Sequence, residues 1–149
     1  MKKTYIATIA ATAMLLAATL SSCSSEEPDG LWDPMKWKTE VKVVKEDGQT
    51  FTEVPAKGGT YEYTCKNYNR MWFYHVVEAK QFNGYNTPDA KVYENTDHLK
   101  RFDCPAASVD IDGPHLAVTI KPNTTGQRRF IEIDVSVGDT GKTFRYRQN

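Results

Sequence analysis

Leu116-Ala117-Val118-Thr119-Ile120 and Ile131-Glu132-Ile133-Asp134-Val135-Ser136-Val137 place an apolar residue at every second position, with polar or small residues between. Successive side chains of a strand point to opposite faces, so this period gives one face for a core and one for solvent. A helix would need a period near 3.6, which neither run has. Pro122 to Gly126 supplies a loop between them, and the two runs are expected to pair as a hairpin. Gly138-Asp139-Thr140-Gly141 then turns the chain into a closing strand, where Phe144 and Tyr146 oppose Arg145 and Arg147.

The same pattern continues upstream. The turn Asp112-Gly113-Pro114 precedes the first run. Tyr61, Tyr63 and Cys65 alternate with Glu62, Thr64 and Lys66 behind the corner Pro55-Ala56-Lys57-Gly58-Gly59. Further back, Trp37, Thr39, Val41 and Val43 alternate with Lys38, Glu40 and Lys42 until Glu46-Asp47-Gly48-Gln49 turns the chain. Met71 to Val77 is apolar on both faces, as in a central strand packed on both sides or one with an aromatic face in solvent. Ala79 to Pro105 is rich in Asn, Asp and Lys and predicts a long connection with one or two short edge strands, the kind of segment that carries binding. Short strands separated by Gly, Pro, Asn and Asp describe an all-β domain, a sandwich or a small barrel.

The N-terminus reads as an address. Lys2 and Lys3 precede an uncharged apolar stretch from Tyr5 to Leu20, and Ser21 and Ser22 lead into Cys23. This is the layout of a secretory leader, too short for a comfortable bilayer span of about 20 apolar residues. Leu20-Ser21-Ser22-Cys23 resembles the lipobox of bacterial lipoproteins, which implies cleavage before Cys23 and lipidation of its thiol. Ser24-Ser25-Glu26-Glu27-Pro28-Asp29-Gly30 has no apolar residue and reads as an acidic tether. It resembles the signal that sends some lipoproteins to the outer face of the outer membrane, the periplasmic face being the alternative. The expected organisation is a signal peptide over 1–22, a lipidated Cys and tether over 23–36, and one domain over 37–149.

Charge excludes one class of partner. The chain holds 19 basic and 19 acidic residues; losing Lys2 and Lys3 leaves 17 against 19. Nucleic-acid binding rests on clustered Lys and Arg, and none is expected here.

Val54-Pro55-Ala56-Lys57-Gly58-Gly59-Thr60-Tyr61, then Asn67 and Trp72, and Asn123-Thr124-Thr125-Gly126-Gln127-Arg128-Arg129 running into Ile131, Ile133 and Val135 before Gln148, together resemble the BACON domain. The resemblance spans roughly Trp37 to Gln148. It implies an immunoglobulin-like antiparallel β-sandwich of about seven or eight strands, of the kind found in secreted or surface proteins of gut bacteria, often beside carbohydrate-active modules. Two departures stand out: this domain follows a lipid tether directly rather than riding on a large protein, and Gln81 to Pro105 is longer and more polar than in a minimal member. The resemblance speaks for the fold more than for sugar binding.

Chemistry-bearing residues are few. Cys65 and Cys104 remain in an exported domain, so they form either a disulfide or two buried thiols. His75, His98 and His115 lack neighbours at metal-ligand spacing, and Asp110-Ile111-Asp112-Gly113 reads as a strand ending in a turn rather than a calcium loop. No metal or cofactor is expected. Neither a nucleophile elbow nor a phosphate-cradling glycine loop is present, and the expectation is a protein that is not an enzyme. Trp32, Trp72, Tyr74, Tyr85 and Tyr93 offer flat faces for sugar rings. Trp72 or Phe73 is alternatively the aromatic of the sandwich core, while Tyr85 and Tyr93 lie in the polar middle segment and are the first choice for a binding edge. These observations point to a non-enzymatic lipid-anchored surface domain that binds a polysaccharide or mucin-type glycan. The alternative is an interaction or scaffold module docking on another surface protein.

Overall fold

A computed structural model describes residues 32–81 and 88–149, and Trp32–Asn149 forms one compact unit. Among the described residues there is no helix, and none is therefore long and apolar enough to cross a membrane. The strands are β1 (Trp37–Lys38), β2 (Val44–Glu46), β3 (Gln49–Val54), β4 (Gly59–Cys65), β5 (Trp72–Ala79) and β6 (Lys91–Glu94). They continue with β7 (Arg101–Asp103), β8 (Ala107–Asp112), β9 (His115–Ile120), β10 (Arg129–Ser136) and β11 (Gly141–Gln148).

They form a five-stranded sheet, β1-β4-β9-β8-β7, and a six-stranded sheet, β2-β3-β11-β10-β5-β6. Neighbours are antiparallel except β3 and β11, which run parallel. The all-β sandwich expected from the strand pattern is what forms. The strand number exceeds seven or eight because β1, β2 and β7 are only two or three residues long. The middle segment contributes β6 and β7, one at an edge of each sheet, as the short edge strands anticipated there.

Alternation sets the core. Leu116, Val118 and Ile120 of β9 face Ile131, Ile133 and Val135 of β10, all essentially fully buried. These two runs therefore pack against each other across the sandwich and do not pair, which corrects the hairpin expectation. β9 bonds to β4 and β8, while β10 bonds to β11 and β5. The connection over 121–128 is too long for a tight turn and carries the chain from one sheet to the other. Short turns make the true hairpins: Asp47-Gly48, both at positive φ, joins β2 to β3, and Gly113-Pro114 joins β8 to β9.

A second correction concerns Trp37–Val43, expected as one strand. Pairing with β4 stops at Lys38 opposite Thr64, because Thr39 Oγ1 donates to the carbonyl of Glu62 at 2.7 Å in place of the backbone and accepts from Val41 N. The chain then leaves for the other sheet as β2. On β5 the register shifts opposite Ile133–Val135, so that Phe73 and Val76 both turn inward although three residues apart. That bulge explains why the stretch looks apolar on both faces.

Candidate functional site

The outer face of the five-stranded sheet carries a concavity. Register places three rows of side chains across β4, β9 and β8: Thr60, Thr119 and Ser108; Glu62, Ala117 and Asp110; Thr64, His115 and Asp112. All point outward, because Tyr61, Tyr63, Leu116, Val118, Val109 and Ile111 take the opposite parity and face the core. The small Ala117 between two carboxylates leaves a trough, and Lys38–Val41, peeling off the edge of β4, forms a wall. The resulting groove has a volume of about 720 Å³, within the range of small-ligand sites. A cavity of about 290 Å³ extends it past Asp110 and Ala117 to Arg101 and Asp103.

Its polar groups are partly ordered by one another. Thr60 and Thr119 share a hydroxyl hydrogen bond of 2.9 Å, Thr64 Oγ1 lies 3.2 Å from His115 Nδ1, and Arg101 Nη2 donates to Asp110 at 2.6 Å. Ser108 and Lys121 donate to Asp103, and these bonds hold its carboxyl below the usual range, the Lys121 contact contributing most. Glu40, Glu62 and Asp112 are exposed in the trough. The face thus offers carboxylate acceptors, hydroxyls and one imidazole along three strands, an array suited to hydrogen-bonding a polyhydroxylated chain. The sequence singles out His115, Asp110 and Asp112 only as metal ligands to be set aside, and Thr60, Glu62, Thr64 and Thr119 look like ordinary solvated positions; the triple alignment around Ala117 distinguishes them.

The aromatic candidates fall elsewhere. Phe73 is fully buried and fills the core, whereas Trp72 is half-buried on the outer face of the six-stranded sheet, opposite Ser136. Trp72 Nε1 donates to Tyr74 Oη at 2.7 Å, and the exposed Tyr74 meets His98 edge-on at 5.3 Å. Trp32 stacks on Tyr68 at 6.0 Å. Tyr93 is half-buried and donates to Glu78 at 3.0 Å, and burial followed by that carboxylate pushes its hydroxyl up to about 12. Tyr85 and Cys23 lie outside the described residues.

The thiols of Cys65 and Cys104 are free and buried, the second of the two alternatives the sequence leaves open. Cys65 follows the Thr64–His115–Asp112 row, whereas Cys104 bonds through its N–H to Ala107, in the Gly59–Ile120–Ala107 row. Those rows are five residues apart on β4, or roughly 17 Å at about 3.3 Å per residue. A disulfide needs Cα atoms within about 7 Å. Among the described residues no group of three His, Cys, Asp or Glu side chains is placed to hold a metal ion.

No family model matches this chain, and no curated protein matches it. A solved structure, described as the NMR structure of the protein from Bacteroides thetaiotaomicron, is similar with 34% sequence identity and a TM-score of 0.60. The match covers 83% of this chain and 92% of that one. This chain belongs to the family of that Bacteroides thetaiotaomicron protein. The likeness spans nearly all of the relative, so the sandwich is the shared unit.

Proposed function

We propose that this chain is a non-enzymatic surface module, anchored to the outer membrane through a lipid on Cys23, whose five-stranded sheet binds a polysaccharide or mucin-type glycan. The observation that carries this reading is the groove of about 720 Å³ across β4, β9 and β8, with hydrogen-bonding side chains in register on three strands. A carboxylate accepts from two neighbouring hydroxyls, and Glu62 and Asp112 stand on opposite strands of the trough as such acceptors. The BACON resemblance and the lipobox support the same setting outside the cell. An open sandwich face also suits a spacer or scaffold, and the unpaired edge of β4 beyond Lys38 favours a protein partner as the second reading.

A glycan array probed with the mature chain tests this. Binding to a defined glycan that Asp112→Asn and His115→Ala each weaken about tenfold, the loss of roughly one charge-assisted hydrogen bond, is the expected result. Silence on the array together with a crosslinked surface protein at β4 would replace the glycan with the protein partner.

A further inference from the structure

We propose that one end of the sandwich, carrying Trp32, Trp72, Tyr74 and Leu99, seats in the headgroup region of the membrane to which Cys23 attaches; this rests on the lipid-anchored reading above. Three of the five exposed large apolar side chains of the described surface are here: Trp32 at 47%, Tyr74 at 44% and Leu99 at 50%. The topology brings them to one end although they are far apart in sequence. Trp72 opens β5 opposite Ser136, the last residue of β10, and Trp32 lies against Gly138 in the turn that follows, where an added Cβ would sit 3.1 Å from its ring. Tyr74 meets His98, and Leu99 is held beside them because Asn95 bonds both its N–H and its carbonyl.

The chain itself enters at this end. Tyr68 Oη donates to the carbonyl of Asp33 at 2.7 Å, and Asn67 accepts from Lys36 N and donates to Pro34 O. Residues 32–36 are thereby fixed to the β4–β5 connection. Eight residues lie between Cys23 and Trp32, so a fully extended chain places Trp32 at most about 30 Å from the anchored Cys. An acyl anchor therefore draws this end toward the bilayer before any other.

The chemistry fits a lipid interface better than a sugar. Trp and Tyr pair a flat apolar body with one polar tip and collect at the boundary between acyl chains and water. Trp72 has already spent its single N–H on Tyr74, and Leu99 has nothing to offer a hydroxyl. None of these residues lines the cavities described above. Seated this way, the strands stand up from the membrane and the groove faces sideways, open to a ligand arriving along the surface.

The mature chain from Cys23 onward, coupled through that thiol to phosphatidylethanolamine and phosphatidylglycerol vesicles with a maleimide lipid and brominated acyl chains, provides the test. Made without its leader, the chain keeps Cys23 as a free thiol, and Cys65 and Cys104 are 3% and 6% exposed, so coupling falls on Cys23. Bromine in the acyl chains should lower tryptophan emission, Trp32→Phe and Trp72→Phe should each remove part of that loss, and Trp37, packed between Tyr63 and Phe144, should stay bright. Undiminished emission on brominated vesicles overturns the proposal, as does a soluble glycan that restores emission by taking the same residues. Intact mass of the chain expressed with its leader is a separate reading: Cys23 without acyl chains defeats the anchoring, and the vesicle measurement still decides what this end binds.

Discussion

Arg129 and Gln148 face each other across β10 and β11, and both side chains point into the sandwich, Arg129 Nε donating to Gln148 Oε1 at 2.8 Å. They share the parity of Ile131 and Tyr146, so the core ends in a polar plug at this end of the space between the sheets. Arg129 also donates to Glu78 and to the carbonyl of Lys121, and Gln148 Nε2 donates to the carbonyls of Pro55, Ala56 and Lys121. Asn123 accepts from Thr125 and donates to Gln127 O, closing the loop that feeds β10. Arg129, Gln148 and Asn123, which carry part of the BACON resemblance, therefore tie the two sheets together.

Gln148→Leu should destabilise the domain by about 3 kcal/mol, because it leaves Arg129 Nε without its acceptor and removes three further hydrogen bonds made by a fully buried side chain. Arg129→Met should cost about 3 kcal/mol by leaving the Glu78 carboxylate, 16% exposed, with only the more distant Lys91 at 4.0 Å as a cation. Urea unfolding followed by tryptophan fluorescence measures both. A loss below about 1 kcal/mol in each would mean that the plug is ornamental.

Two glycines with nearly the same backbone should respond differently. Gly58 has φ +81° and an added Cβ would lie 2.2 Å from the carbonyl oxygen of Ile120, whereas Gly48 has φ +76° with open space around it. Gly48→Ala should cost about 1–2 kcal/mol for the left-handed conformation alone. Gly58→Ala must also push β9 away and should cost about 3 kcal/mol or more. Equal shifts in thermal midpoint for the two variants would contradict this.

The thiols give a kinetic prediction. Burial pushes Cys104 above its usual range, and neither thiol can reach the other. Both should resist alkylation in the native state and react together on unfolding, with the intact mass unchanged by reductant. A two-dalton difference on reduction would show a bridge that this fold forbids.

Stability should fall in acid through Asp134. Its carboxyl accepts from His75 Nε2 at 3.3 Å and from Thr143 Oγ1, and these bonds, His75 first, hold it below its ordinary value of 3.8. Between that folded value and 3.8 the unfolded chain binds more protons, so the contribution is complete above about pH 4 and is lost as pH falls through the folded value. Asp134→Asn should flatten this part of the stability profile. An unchanged slope below pH 4 would assign acid sensitivity elsewhere.

How much of this was legible in the sequence follows from periodicity. β4, β9, β10 and β11 each bury one face and expose the other, and alternation in Tyr61–Cys65, Leu116–Ile120, Ile131–Val137 and Phe144–Tyr146 reports that directly. Partnership was not legible, because facing strands and paired strands have the same pattern; only loop length separates β9 and β10 from a hairpin. The break at Thr39 depends on a side chain reaching Glu62, 23 residues away. The groove was hidden for a similar reason: Glu62, Asp110 and His115 become neighbours only through register, and Ala117 makes a trough only because of what flanks it.

Whether the groove binds a glycan is decided by amide chemical-shift mapping of the isotopically labelled mature chain, titrated with soluble mucin-type and plant-type oligosaccharides. Saturable shifts confined to Thr60, Glu62, Thr64, Asp110, Asp112, His115 and Ala117 are expected. Oligosaccharides that leave these amides unmoved, or that perturb only other surfaces, would contradict glycan binding in the groove.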